Sequence, residues 1–130
     1  MIKIKNLLTA LTVGAAFVSL SPATRAAAGA HENGSEITVT GEVLDLACYT
    51  DHGAHGAKHA GCAEKCISGG LPVGLKGTDG VTYLLIGDHA PANDILAPFA
   101  AKTVTVKGKF VSRDGINLLE NIEVVTPAKS

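Results

Sequence analysis

Cys48, His52, His55, His59, Cys62 and Cys66 gather in one stretch of this 130-residue chain and include all of its cysteines. On a helix of about 3.6 residues per turn, His55, His59, Cys62 and Cys66 stand at i, i+4, i+7 and i+11. They therefore share one stripe roughly 60° wide. A stripe of imidazoles and thiols, rather than Leu and Ile, is the donor chemistry of a transition-metal site. Helical i, i+4 spacing would hold the Cβ atoms of Cys62 and Cys66 about 5–6 Å apart, too far for a disulfide, which needs about 3.8 Å. Two thiolates that each lie about 2.3 Å from one ion accept that spacing. His59, one turn earlier, reaches the same ion, and Cys48, expected at the end of the first strand, supplies a fourth ligand. Cys48, His59, Cys62 and Cys66 thus make a Cys₃His set of the kind that binds zinc, and soft thiolates equally suit Cu(I). His55 would lie about 16 Å from Cys66 along such a helix. His52 and His55 are therefore supporting groups or a separate, labile copper or zinc site.

Two other uses of the thiols stay open. In an oxidising compartment Cys48 could bond Cys62 or Cys66 and staple the segment to the rest of the domain, leaving one thiol over. A thiol–disulfide enzyme is the third possibility. It would need an exposed cysteine of lowered pKa, and the spacing here is C-x₃-C rather than the C-x-x-C of thioredoxin-like enzymes. C-x-x-C-H is absent, since Ile67 follows Cys66, which excludes covalent c-type haem.

The elements that must position these residues are mostly strands. Ile37 and Val39 alternate with Thr38 and Thr40, and Val43, Leu44 and Leu46 follow Gly41, so a first strand is expected over 36–48, with Gly41 marking a bulge or bend. Ala57–Ser68 has helical character and stops at Gly69-Gly70. Further strands are expected over 72–76, 81–86, 102–112 and 116–125. Thr78-Asp79-Gly80 and Asp114-Gly115 provide turns, and 92–100 forms a short helix. Three strands, a helix and two strands is the order of the OB-fold. The expected class is mainly β with short helices: a five-stranded OB-like Greek-key barrel with a helical Cys/His insertion between strands 1 and 2. A β-sandwich is the competing architecture.

Composition bounds the rest. The apolar share is 46% and the charged share 18%, too apolar and too weakly charged for a disordered chain. Lys3 and Lys5 precede the uncharged run Leu7–Leu20, and Ala26-Ala27-Ala28 offers small residues for cleavage. Residues 1–28 therefore read as a secretory signal peptide, 29–35 as a flexible leader, and 36–126 as one domain carrying the Cys/His segment 48–70. Export implies a periplasmic or secreted protein, with no membrane association after cleavage. The signal holds three of the eleven basic residues and none of the twelve acidic ones. The remaining eight against twelve give a net charge of −4 with His neutral, and only Tyr49, Tyr83, Phe99 and Phe110 remain as aromatics. That balance speaks against nucleic acid as a partner. Lys102, Lys107 and Lys109 are expected on a solvated face. No Ser-His-Asp, paired-carboxylate or phosphate-loop pattern stands out, so an enzyme is the less favoured class.

Gly41-Glu42-Val43-Leu44-Asp45-Leu46-Ala47-Cys48 and the run from His59 to Leu75 follow the pattern GxVxDxxC…HxxCAxxCxxxGxPVGL. Ala101-Lys102-Thr103-Val104-Thr105-Val106-Lys107-Gly108 follows a Gly-Lys-x-Val-x-Val-x-Gly tail, with Ala in place of the first Gly. In these motifs, over about 37–125, the chain resembles a family of small exported bacterial proteins of uncharacterised function and OB-like fold. The resemblance implies one exported domain in which Cys48, His59, Cys62 and Cys66 act as a set. It supplies no reaction. The function expected on these grounds is binding of zinc or copper, for structure, metal handling or electron transfer, with an exported redox or metal-handling protein as a partner. The alternative is a disulfide-stapled accessory module of an exported redox system, without metal.

Overall fold

The computed structural model describes residues 31–127; the expected signal peptide, 1–28, lies outside the described residues. Five strands, β1 (Glu36–Asp45), β2 (Val73–Gly77), β3 (Thr82–Leu85), β4 (Thr103–Arg113) and β5 (Ile116–Pro127), close into a barrel in the order β1-β2-β3-β5-β4. Among the described strands, only β3 and β5 pair in parallel. The fold is the expected OB-like barrel rather than a sandwich.

Closure depends on β1. Its first part, Glu36–Glu42, pairs with β4, and its second part, Gly41–Asp45, pairs with β2. Gly41 belongs to both ladders. A Cβ there would run into the Lys76 backbone carbonyl, so glycine is needed for close approach at the barrel corner. No register shift occurs at Gly41, where a bulge or bend is expected; the shifts lie in the β4–β5 ladder, between Thr105 and Val106 and between Lys107 and Lys109.

The insertion between β1 and β2 is two helices rather than one. The chain leaves the sheet at Asp45 and winds α1 (Leu46–His52), because the Asp45 side chain accepts the Ala47 amide. Gly53, in the left-handed region at φ 72°, stops α1 by returning its N–H to the Tyr49 carbonyl. A 3₁₀ turn (Ala57–His59) leads into α2 (Ala60–Ser68). A third helix, α3 (Asn93–Leu96), and a 3₁₀ turn (Ala97–Phe99) lie between β3 and β4.

Val39, Val43, Leu75, Tyr83, Leu85, Val104, Val106, Phe110 and Leu119 fill the barrel, and Ile67 of α2 and Leu96 of α3 join the same core. Asn93 ties the helices together by donating to the carbonyls of Ile67 and Leu71, both at 2.7 Å. Part of the leader, 29–35, lies along β4: the Gly34 amide donates to the Phe110 carbonyl at 2.8 Å, and Asn33 Oδ1 accepts the Ser112 amide at 2.6 Å. The lysines of β4 are engaged. Lys107 meets Glu36 at 2.8 Å and Lys109 meets Glu120 at 2.6 Å. No described helix is long and apolar enough to cross a membrane.

Candidate metal centre

The sulfurs of Cys48, Cys62 and Cys66 lie within 4.8 Å of one another. Two helices deliver them. Cys62 and Cys66 stand one turn apart on α2, as their spacing requires, and α2 is anchored through Ile67, which is fully buried. Cys48 comes from α1, not from the end of a strand. The first strand stops three residues before it, where the Asp45 cap starts the helix. Cys48 and Cys66 are half-buried and Cys62 is exposed, so the cluster has one face open to solvent.

The histidines do not enter this group of donor atoms. His59 is half-buried at the N-cap of α2, and His55 lies outside either helix, so the single stripe of four donors is not formed. Both nonetheless line a narrow cavity together with Cys48, Cys62, Glu42 and Asp45. His55 is held there by a 2.7 Å hydrogen bond from Nδ1 to the Gly53 carbonyl and by edge-to-face contact with Tyr49 at 6.2 Å. With Nδ1 as the donor, Nε2 carries the lone pair, the arrangement seen in metal-ligating imidazoles. His52 sits in the last turn of α1, exposed, with Nδ1 3.1 Å from Asp51 Oδ2. Glu42 accepts the Gly56 amide and so fastens the loop between α1 and the 3₁₀ turn to β1.

Asp45 is the site residue that motif and spacing did not single out as a ligand. Its side chain is almost wholly buried, Oδ1 accepts the Ala47 amide at 3.0 Å, and Oδ2 has no hydrogen-bond partner. The carboxylate bears on two of the sulfurs. The Asp45 carboxylate, followed by burial and the neighbouring Cys66, pushes the Cys48 thiol up to about 12. Burial, followed by Asp45 and Cys62, raises Cys66. The available signal was the Asp45-x-x-Cys48 spacing, in which an N-cap aspartate is placed one turn from the cysteine it must face.

A redox cysteine works as a thiolate and is recognised by a lowered pKa. The Cys48 and Cys66 thiols are shifted the other way. A cation reverses that logic, because thiolates crowded against a carboxylate repel each other until a positive charge sits among them. No family model, curated protein or solved structure matches the chain.

Proposed function

We propose that this is an exported, periplasmic or secreted, metal-binding protein that holds one zinc or copper ion on Cys48, Cys62 and Cys66. The observation that carries this proposal is the convergence of three sulfurs from two helices within 4.8 Å. His59 is the proposed fourth ligand, with His55 beside it on the same cavity wall. The open face at Cys62 favours handling of an exchangeable ion over a closed structural site, since an incoming ligand can reach the metal there. The partner is then an exported redox or metal-handling protein. Kinship with small exported proteins sharing the GxVxDxxC…HxxCAxxCxxxGxPVGL pattern belongs to the same proposal.

The test is elemental analysis and thiol titration of protein isolated from the exported fraction. One zinc or copper per chain, with three thiols titrating only after chelation, is the expected result. One free thiol and no metal would overturn it and favour the disulfide-stapled module, which the same closeness of the sulfurs permits.

A further inference from the structure

Asp45 is buried more deeply than any of the three sulfurs, yet only half of its carboxylate is used within the protein. Its position is over-determined. The backbone at Asp45 pairs with Val73 of β2, the next amide, Leu46, donates to the Pro72 carbonyl at 3.0 Å, and Oδ1 is held by the Ala47 amide. With one oxygen fixed, the plane of the carboxylate is fixed, and Oδ2 is left without a hydrogen-bond partner. A buried acceptor without a donor is costly and rarely occurs without a missing partner. What stands beside it is the cluster of soft sulfur donors.

We infer that Asp45 Oδ2 is the hard, charged neighbour of the donor set and makes this site select a divalent ion over Cu(I). This rests on the three-cysteine proposal above and refines its choice of metal. Zinc is borderline in softness and takes carboxylate oxygen together with thiolate sulfur. Cu(I) is satisfied by soft sulfur and gains little from a hard oxygen or from one more negative charge. Asp45 lines the same cavity as Cys48, Cys62 and the two histidines, and its carboxylate lies outside the group of mutually close sulfurs, so it acts on the ion from beside the cluster.

The test uses Asp45→Asn in the full chain, because asparagine caps a helix about as well as aspartate and keeps the Ala47 contact while removing the charge. Zn²⁺ and Cu⁺ affinities are measured by competition with chelators for wild type and variant. The variant should lose about 10- to 100-fold in Zn²⁺ affinity, the usual effect of disturbing a group that supports a metal, while Cu⁺ affinity changes less than about threefold. Equal losses for both ions, or unchanged Zn²⁺ affinity, would overturn the inference and leave the three-cysteine site standing. A wild type that binds neither ion removes both. A measurement on the unmutated protein guards against misfolding of the variant: with ¹³C-labelled aspartate carboxyls, one resonance should move on Zn²⁺ loading and stay in place on Cu⁺ loading. No ion-specific movement would count against Asp45.

Discussion

Asp79, in the turn between β2 and β3, and Asp45, at the junction of β1 and α1, each accept the amide two residues ahead through Oδ1, both at 3.0 Å. Their second oxygens differ. Asp79 Oδ2 accepts the Tyr83 hydroxyl at 2.6 Å, with His31 Nε2 3.8 Å away. Asp45 Oδ2 has no hydrogen-bond partner, although Asp45 is 3% exposed and the Asp79 side chain 28%. Burial alone would demand the opposite order, since the more deeply buried acceptor has the greater need of a donor. The Asp79 carboxylate is satisfied on both oxygens by the protein's own residues and serves the fold, with His31 Nε2 beside it buried and without a hydrogen-bond partner among the described residues. The Asp45 corner lines the cavity that Cys48 and Cys62 share, and α1 beside it contributes no buried residue to the core. The barrel is held by apolar burial, while the two short helices are placed by caps, by Ala63 and Ile67 of α2, and by the Asn93 hydrogen bonds.

The difference can be broken most sharply at the sulfurs. Cys48→Ser should lower zinc affinity by more than about 100-fold, beyond the effect of a supporting group, and leave the Tyr83–Asp79 corner intact. Elemental analysis and the near-UV signal of Tyr83 check the two halves. Ile67→Ala should cost about 2–5 kcal/mol by opening a cavity under α2. Hydrogen exchange should then accelerate in α2 before it does in β2 and β3.

Asp79→Ala should cost about 1–3 kcal/mol, because it strands the buried Tyr83 hydroxyl and uncaps Val81. Metal-free Asp45→Asn, which keeps the Ala47 cap and exchanges one unpaired buried polar atom for another, should lose less than Asp79→Ala in urea unfolding. Equal losses at the two corners would end the distinction between them.

Burial, then the hydrogen bond to Asp79 and the Asp79 charge, raises the Tyr83 hydroxyl well above its ordinary 10.0. The sign follows from linkage. A group whose folded pKa is raised contributes stability that is complete below its unfolded pKa and is lost as pH climbs towards the folded one. Thermal stability should therefore fall as pH rises beyond about 10, and Tyr83→Phe should flatten that decline. The smallest effect is expected at the Lys109–Glu120 pair. The Lys109 hydrogen bond lowers the Glu120 carboxyl against the opposing pull of burial. Its contribution is present above the ordinary carboxylate range and fades as pH falls through it, and Glu120→Gln should barely move the melting temperature at pH 7.

Much of this molecule is legible in the chain itself. Alternation at Ile37 and Val39 and at Val104 and Val106, with turns at Asp79-Gly80 and Asp114-Gly115, yields five strands in OB order because period-2 burial and turn chemistry act over a few residues. The spacing of Cys62 and Cys66 likewise places two thiols on one face of α2. Tertiary structure alone decided the rest. Cys48 reaches α2 because β1 changes partners at Gly41 and delivers α1 to that side of the barrel, a consequence of pairings between residues far apart in sequence. The histidines of the supposed stripe end up on a cavity wall because the helix begins only after His59. Asp45 reads locally as no more than a cap, and its orphaned oxygen comes into being only when the folded barrel removes water from it and sets sulfur beside it.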